Sequence, residues 1–212
     1  MRVFEFVVEL YHFKPKIWRR VLVPANITIA RLGYICMTLF EMKSSHLAAI
    51  EYKTRNEKIK FDINEDVRKP GKDASTAYLS NLALTNKSKL KMVYDFGDTW
   101  EVFLILDRIY CLPLNMLDTF PRVVEGEGYG IVEDCGGGDG LARVMKAFAA
   151  KSGDEYKELS AKLGRKSFNF DKFSISRANE RLRIVPGIYE QIYEGRISPT
   201  DEEKEYVDEG MI

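Results

Sequence analysis

Short apolar runs that alternate with polar positions dominate the first half of the chain. Many of these runs are rich in β-branched and aromatic residues, which favour strands. The runs that predict strands are 2–11, 17–23, 47–53, 58–63 and the two arms of a hairpin over 89–110. The hairpin turns at Gly97-Asp98, since glycine accepts a positive φ and aspartate bonds to its own backbone. The polar segment 64–76 predicts a loop, and 77–84 predicts a short helical turn.

Helical spacing begins after the second predicted strand. Thr28 is a suitable N-cap for a helix that runs to about Met42, with its apolar residues on one stripe. The region 111–140 is rich in proline and glycine and predicts a long irregular loop. Later helices are predicted over 141–151 with Asp139 as a possible cap, over 155–163, 176–182 and 186–193, and after the capping box Thr200-x-x-Glu203.

Strands therefore come first and helices last along the chain. This order predicts an α+β fold in which helices pack on a mainly antiparallel sheet. We expect one domain over residues 1–185, followed by a short helical tail over 186–212. The tail is acidic, because its last fifteen residues carry six carboxylates against the single cation Lys204.

Composition narrows the class of protein. The 32 lysines and arginines balance 32 aspartates and glutamates, which argues against a nucleic-acid-binding field over the whole molecule. The three cysteines have no regular spacing, which suits a reducing compartment. No apolar run approaches the roughly 20 residues of a membrane span. We therefore expect a soluble cytoplasmic protein without a membrane partner.

Acidic residues gather in the hairpin turn and in the glycine-rich region that follows it. We expect these segments to share one acidic cleft, whose candidate residues are His46, Asp95, Asp98, Trp100, Glu101, Glu133, Asp134 and Cys135. Carboxylates with one imidazole suit Mg²⁺ or Mn²⁺ and, less well, Zn²⁺. Asp95, Asp98 and Glu101 are the candidate metal ligands. The alternative is structural: turn carboxylates accept backbone N–H bonds, and Glu101 pairs with Arg19 or Arg20.

Two other kinds of chemistry are less well supported at these positions. Cys135 with His46 resembles a nucleophilic pair, but Glu133 and Asp134 beside the thiol raise its pKa instead of lowering it. The glycines at 136–138 lack the Lys-Ser/Thr of a phosphate-binding loop and predict a tight turn into a helix.

A basic segment near the beginning of the chain is a candidate nucleic-acid patch. It consists of Lys14, Lys16, Arg19 and Arg20, interleaved with the aromatic residues Phe13 and Trp18. Clustered cations bind phosphates, and aromatic rings stack on unpaired bases. The alternative is that Trp18 belongs to the core and the charges form a solvated face.

Five sequence motifs together resemble the plasmid ORF-3-like family. They are Pro15-x-Ile17-Trp18-Arg19-Arg20, Val23-Pro24 with Thr28-Ile29, Ser45-His46-Leu47, Tyr94-Asp95-Phe96-Gly97-Asp98-x-Trp100-Glu101 and Glu133-Asp134-Cys135-Gly136-Gly137. The resemblance covers roughly residues 2–185 and implies an α/β-roll-like fold. Related members are labelled as TnpR-type passenger proteins of insertion elements. Where family members often have histidine, this chain has Ala48 and Val102, and Pro121-Arg122-Val123-Val124 replaces a segment that often holds cysteine.

The resemblance and the motifs predict a non-catalytic binding or interaction protein, with an enzyme as the less favoured class. Its partner is expected to be a protein or a nucleic acid of a mobile element. The alternative is a divalent-metal-dependent enzyme that acts on phosphoesters or nucleotides through the acidic cleft. A divalent metal is the one cofactor that the residues suggest, and the ligand and oligomeric state are not predicted.

Overall fold

A computed structural model describes residues 1–64, 70–195 and 197–210 of the chain. The strands are β1 (Arg2–Leu10), β2 (Trp18–Pro24), β3 (Ala48–Lys53), β4 (Lys58–Asp62), β5 (Lys72–Asp73), β6 (Lys89–Tyr94), β7 (Trp100–Cys111) and β8 (Arg122–Glu127). The helices are α1 (Ile29–Leu39), α2 (Gly137–Ala150), α3 (Asp154–Lys162), α4 (Ile175–Glu194) and α5 (Asp201–Glu209). Short 3-10 turns lie at Leu79–Asn81 and Leu114–Thr119.

The strands form one open sheet in the order β5-β4-β3-β6-β7-β1-β2-β8. Neighbouring strands are antiparallel except for β4 and β5, which are parallel. Side chains alternate between the two faces, so Leu90, Met92 and Tyr94 of β6 are buried while Lys91 and Val93 are partly exposed. The predicted α+β class with a mainly antiparallel sheet is confirmed.

Helix α1 lies at the centre of the core. Thr28 caps its N-terminus as predicted, because the Thr28 side chain accepts a hydrogen bond from the Arg31 N–H. The residues of the predicted apolar stripe are buried, and so is every other residue of α1 except Arg31. Helix α1 contacts α4 as well as strands β3 and β4 of the sheet.

Helix α4 replaces the two helices predicted over 176–182 and 186–193. It runs unbroken through Pro186, with Val185 and Ile188 buried on either side of the proline. The position at which we expected the domain to end, residue 185, therefore lies in the middle of α4, at a buried residue. Helix α5 begins at Thr200 with the predicted capping box. Within the described ranges, no helix is both long and apolar enough to cross a membrane.

The region 111–140 is more regular than predicted, because it contains the strand β8 at the edge of the sheet. Helix α2 also begins four residues early, at Gly137. Gly136 is its N-cap, with a φ of 91°, so Asp139 lies inside the first turn and is not the cap. The predicted loop 64–76 includes β5, and its residues 65–69 lie outside the described part of the chain.

Candidate functional site

His46 lies between α1 and β3, with carboxylates facing both ring nitrogens. Its Nδ1 is 3.7 Å from Asp95 Oδ2. Its Nε2 is 3.5 Å from Glu133 Oε2 and 3.5 Å from Asp134 Oδ1. Three segments that are far apart in sequence therefore meet at one imidazole. The separations are longer than good N–H···O hydrogen bonds, so the ring faces the carboxylates without binding them directly.

Asp95 and Glu133 each use one carboxylate oxygen to accept hydrogen bonds from neighbouring residues. Asp95 Oδ1 accepts the N–H of Gly97 at 2.9 Å and that of Asp98 at 3.3 Å. Glu133 Oε1 accepts the Lys43 N–H and the Tyr94 hydroxyl, both at 2.7 Å. These bonds orient the second oxygen of each carboxylate towards His46.

The backbone around His46 is held from helix α4. The Tyr193 hydroxyl donates to the His46 carbonyl at 3.1 Å, and the Tyr189 hydroxyl donates to the Met42 carbonyl at 2.5 Å. From the sheet side, the Asp95 N–H donates to the Leu47 carbonyl at 2.9 Å. The backbone that carries the imidazole is therefore fixed by both the sheet and the helical layer.

Two atoms of the site are buried without a hydrogen-bond partner among the described residues: His46 Nε2 and Glu133 Oε2. Buried polar atoms are nearly always paired, so an opposed pair of this kind requires an explanation. Burial also raises the pKa of Glu133 above its usual range, against the hydrogen bonds from Lys43 and Tyr94 that favour the carboxylate.

The spacing of the donor atoms suits a small cation. One ligand atom from each of His46, Asp95 and Asp134 can be chosen so that all three lie within 4.8 Å of one another. Two ligands bound at about 2.0–2.1 Å in tetrahedral geometry are separated by about 3.3 Å. The separations of 3.5 Å around His46 Nε2 are close to that value.

Four of the eight non-glycine residues with a positive φ in the described chain lie in the same three segments. Positive φ values occur at Ser44 (60°), Asp95 (55°), Thr99 (54°) and Asp134 (54°). A β-branched residue such as Thr99 is a clear outlier in this region. Strained residues of this kind persist where the surrounding structure holds them, and they cluster at functional sites.

Asp98 and Cys135 lie beside the cluster and contact the glycine loop. Asp98 Oδ2 accepts the Gly136 N–H at 3.0 Å, which joins the hairpin turn to the start of α2. The Cys135 thiol contacts the Gly137 carbonyl at 3.6 Å. Burial, with the nearby Asp98 carboxylate, raises the pKa of Cys135 to about 11, so the thiolate needed for nucleophilic attack is disfavoured.

Trp100 and Glu101 lie outside the cluster. Trp100 is 2% exposed and belongs to the core. Glu101 follows it on β7 and so points to the opposite face of the sheet, where it pairs with Lys91 at 2.6 Å. Of the three carboxylates expected to bind a metal, only Asp95 belongs to the group around His46. The pairing of Glu101 with Arg19 or Arg20 is wrong, because β1 lies between β7 and β2, the strand that carries both arginines.

The predicted basic patch is divided by the strand alternation. Arg19 is completely buried, so the expectation that it lies on the surface is wrong. Its guanidinium donates to the carbonyls of Trp18, Glu127, Gly128 and Tyr129. Arg20 points the other way and binds Glu5 and Asp107 at 2.8 and 2.9 Å. Lys14 and Lys16 are exposed, and Lys16 pairs with Glu9 at 2.5 Å.

Sequence reasoning missed the tyrosines that support the site. Tyr94 opens the hairpin motif, which was the available signal, but the motif does not show that its hydroxyl binds Glu133. Tyr189 and Tyr193 lie in α4, more than 140 residues from the backbone carbonyls that they bind. No local pattern connects residues so far apart.

The fold and the site together define an α+β protein with a histidine–carboxylate cluster where the sheet meets its helical layer. The chain matches the family model described as "Plasmid pRiA4b ORF-3-like protein" over residues 2–177, so it belongs to that family. The matched range contains every residue of the cluster.

One curated relative and one solved structure are similar over most of the chain. The uncharacterized protein y4hQ of Sinorhizobium fredii (strain NBRC 101917 / NGR234) is 27% identical over 177 residues, covering 82% of this chain and 88% of that protein. A crystal structure of the protein of unknown function MM3350 from Methanosarcina mazei Go1 has a TM-score of 0.73 and 24% identity, covering 82% of this chain and 96% of the other. The structural likeness supports the fold alone.

Proposed function

We propose that this protein is a non-catalytic binding protein that holds a divalent cation at His46 Nε2, Glu133 and Asp134, with Asp95 facing the other ring nitrogen, Nδ1. The observation that carries the proposal is the opposed pair of buried atoms, His46 Nε2 and Glu133 Oε2, which lie 3.5 Å apart without hydrogen-bond partners in the described structure. A cation bound between them would replace the missing hydrogen bonds and compensate the buried carboxylate.

The donor set limits the choice of ion. Imidazole favours Zn²⁺ and other transition metals, whereas carboxylates suit Mg²⁺ and Mn²⁺, so this mixed set suits Mn²⁺ or Zn²⁺ best. Asp134 is the most exposed member, with 70% of its side chain accessible. This side of the site would let a partner supply a further ligand. The plasmid origin in the family description supports a partner from a mobile element, either protein or nucleic acid.

Thermal melting tests the proposal. The wild-type protein, His46→Gln and the matched control His12→Gln are melted in chelator and then with Mg²⁺, Mn²⁺ or Zn²⁺, with exposed Cys111 changed to serine in every protein. A cation that binds the native state raises the midpoint by mass action. We expect a rise for the wild type and His12→Gln and none for His46→Gln. The proposal fails if no ion raises the midpoint at millimolar concentration, or if His46→Gln responds like the wild type.

A second candidate function is a metal-dependent phosphoesterase, and one observation favours it. A cavity of about 240 Å³ borders Glu133 and Asp134, and Arg143 and Lys162 contribute to its wall. Lys162 Nζ donates to the Asp134 carbonyl at 3.0 Å, so its ammonium group lies beside the cluster. A metal and two cations are the groups that neutralise a phosphoryl group during transfer.

Turnover of phosphoesters and nucleotides with Mn²⁺ distinguishes the two candidates. If the second candidate is correct, the double variant Arg143→Gln/Lys162→Gln lowers turnover at least tenfold while the metal-induced rise in melting midpoint is retained. If the wild type turns over substrate no faster than His46→Gln does, the phosphoesterase hypothesis is excluded. The non-catalytic cation-binding protein is then the remaining candidate.

A further inference from the structure

A second surface, on the side of the sheet that the helices do not cover, carries an unusual row of cations. Lys53 of β3 lies directly opposite Lys58 of β4. The register that pairs Tyr52 with Leu90 places Lys89 beside Lys53 on its other side. Three lysines therefore stand side by side on three adjacent strands. Like charges in directly opposed positions destabilise a sheet.

The next row of the same face shows the usual arrangement. There, Glu51 lies between Lys60 and Lys91. It pairs with Lys91 at 3.3 Å and diagonally with Lys58 at 2.7 Å. Lys53 and Lys89, in contrast, form no ion pair with any residue of the described ranges, and neither does Arg55 in the turn after β3. The sheet thus neutralises one row and leaves the other with excess positive charge.

The charged row borders a groove of about 860 Å³ between the turn after β3 and the loop before β6. Its cations are Lys53, Arg55, Lys58, Lys87, Lys89 and Lys91, and Glu51 is its one carboxylate in the described structure. The whole chain has a net charge of zero, so this local excess does not follow from composition. The groove has the size of a typical ligand site.

Phe103 gives the groove an aromatic element. It is half-buried and lines the groove, and it lies directly opposite Lys91 on the adjacent strand β7. The ring of Tyr11 packs edge-on against it, with centroids 4.5 Å apart, and holds it in place. A row of cations beside a fixed aromatic ring is the combination that binds the backbone and bases of unpaired nucleic acid.

We infer that this groove binds single-stranded nucleic acid, with phosphates on the lysine row and a base on Phe103. An acidic peptide is the competing occupant, and the acidic helix α5 of a second copy is the available example. Two of the six carboxylates of α5 already bind other parts of the same molecule, since Asp208 pairs with Lys43 and Glu209 with Arg177. The inference concerns a surface separate from the proposed cation site and does not depend on it.

Fluorescence anisotropy of labelled single-stranded DNA and RNA oligonucleotides, titrated with the whole protein at low salt, tests the inference. The test variant is Lys53→Gln/Lys89→Gln. The matched control is Lys146→Gln/Lys172→Gln, which removes two exposed lysines elsewhere. We expect the test variant to bind at least tenfold more weakly and its salt dependence to fall by about 1.4 in slope, since two phosphate contacts are lost. The control should bind like the wild type.

A folding defect would not imitate this result, because removing like charges from opposed positions should not lower the melting midpoint. Phe103→Leu should weaken oligonucleotide binding about fivefold or more by loss of stacking, while leaving poly-glutamate binding unchanged. The inference is overturned if no oligonucleotide binds, if the two lysine pairs have equal effects, or if poly-glutamate or anionic vesicles bind as tightly as the oligonucleotides.

Discussion

Arg19 shows how one residue can have a structural role that its charge conceals. Its buried guanidinium donates to four backbone carbonyls, and it stacks on Phe173 at 3.7 Å. These bonds attach β2 to the end of β8 and to the segment that leads towards Glu133. Burial lowers the pKa of Arg19, and the Glu41 carboxylate opposes this effect.

We therefore expect Arg19→Lys to lower the free energy of unfolding by about 2–4 kcal/mol, because an ammonium group cannot satisfy four fixed acceptors. Urea denaturation measures this loss. Arg20→Lys is the control: it changes the adjacent residue on the opposite face and should cost clearly less. Equal losses for the two variants would contradict the structural role of Arg19.

We expect the Glu133 carboxylate to lower the stability of the metal-free protein at neutral pH while it supports cation binding. Burial raises its pKa, so the folded protein binds this proton more tightly than the unfolded chain does. The resulting stabilisation is fully present below the ordinary glutamate pKa and is lost as pH rises through the raised pKa. In chelator, Glu133→Gln should lose this pH dependence and be at least as stable as the wild type at neutral pH. It should also lose the metal-induced rise in melting midpoint.

Melting curves from acidic to neutral pH provide this measurement. Glu57→Gln, which changes an exposed glutamate in the turn before β4, is the control and should keep the wild-type pH dependence. A Glu133→Gln protein that is less stable than the wild type in chelator at neutral pH would contradict a carboxylate that burial destabilises.

The start of α2 makes an element-scale prediction, because two adjacent glycines have different surroundings. Gly137 has a φ of 67°, and a Cβ there would lie 2.7 Å from the Asp98 carbonyl oxygen. A Cβ on Gly138 would meet nothing closer than Phe13 at 3.8 Å. Gly137→Ala should therefore destabilise the protein by about 2–4 kcal/mol, whereas Gly138→Ala should be neutral or stabilise it by about 0.5–1 kcal/mol.

Urea denaturation of the two variants checks this difference. Gly137→Ala should also weaken metal binding more than Gly138→Ala does, since Gly137 packs against the turn that orients Asp95. If Gly137→Ala is as stable as Gly138→Ala, the hairpin turn and the glycine loop are not joined as the structure indicates.

Elements with strong alternation or spacing were predictable, and elements that depend on tertiary contacts were not. The central hairpin and the Thr28 cap follow from local residues. Strand β8 was missed because only Val123 of its six residues is buried, so its apolar pattern is weak. Helix α4 was divided at Pro186 because proline normally ends a helix, whereas packing of Val185 and Ile188 maintains it.

At the scale of the whole molecule, the sequence predicted that acids near the turn would meet His46, but not which ones. Asp95 reaches His46 because β3 and β6 are neighbours in the sheet. Glu101 is excluded by the same sheet, through alternation. The pairing of distant strands, and the hydroxyl groups from α4 that fix the loop, arise only when the chain is folded.

The C-terminal helices predict how the chain responds to truncation. Tyr189 is buried in the core, and Arg31 pairs with Glu190 at 3.2 Å, so α4 is part of the main fold. Helix α5 contributes less: it supplies the carbonyls of Tyr206 and Val207 to the buried Arg181. A chain of residues 1–185 should show no cooperative unfolding transition by circular dichroism, and a chain of residues 1–199 should keep one at a lower midpoint. A cooperative 1–185 chain would support a domain that ends at residue 185.

The cation site can be observed directly, because the chain has only two histidines, His12 and His46. In the NMR spectrum of the imidazole nitrogens, each ring gives its own pair of signals, and His12 serves as an internal control. On titration with Zn²⁺ in the Cys111→Ser protein, we predict that the His46 signals move to a bound position at one equivalent while those of His12 stay in place. Signals of His46 that do not change at millimolar Zn²⁺ and Mn²⁺, or that change only in parallel with those of His12, would contradict the proposed site.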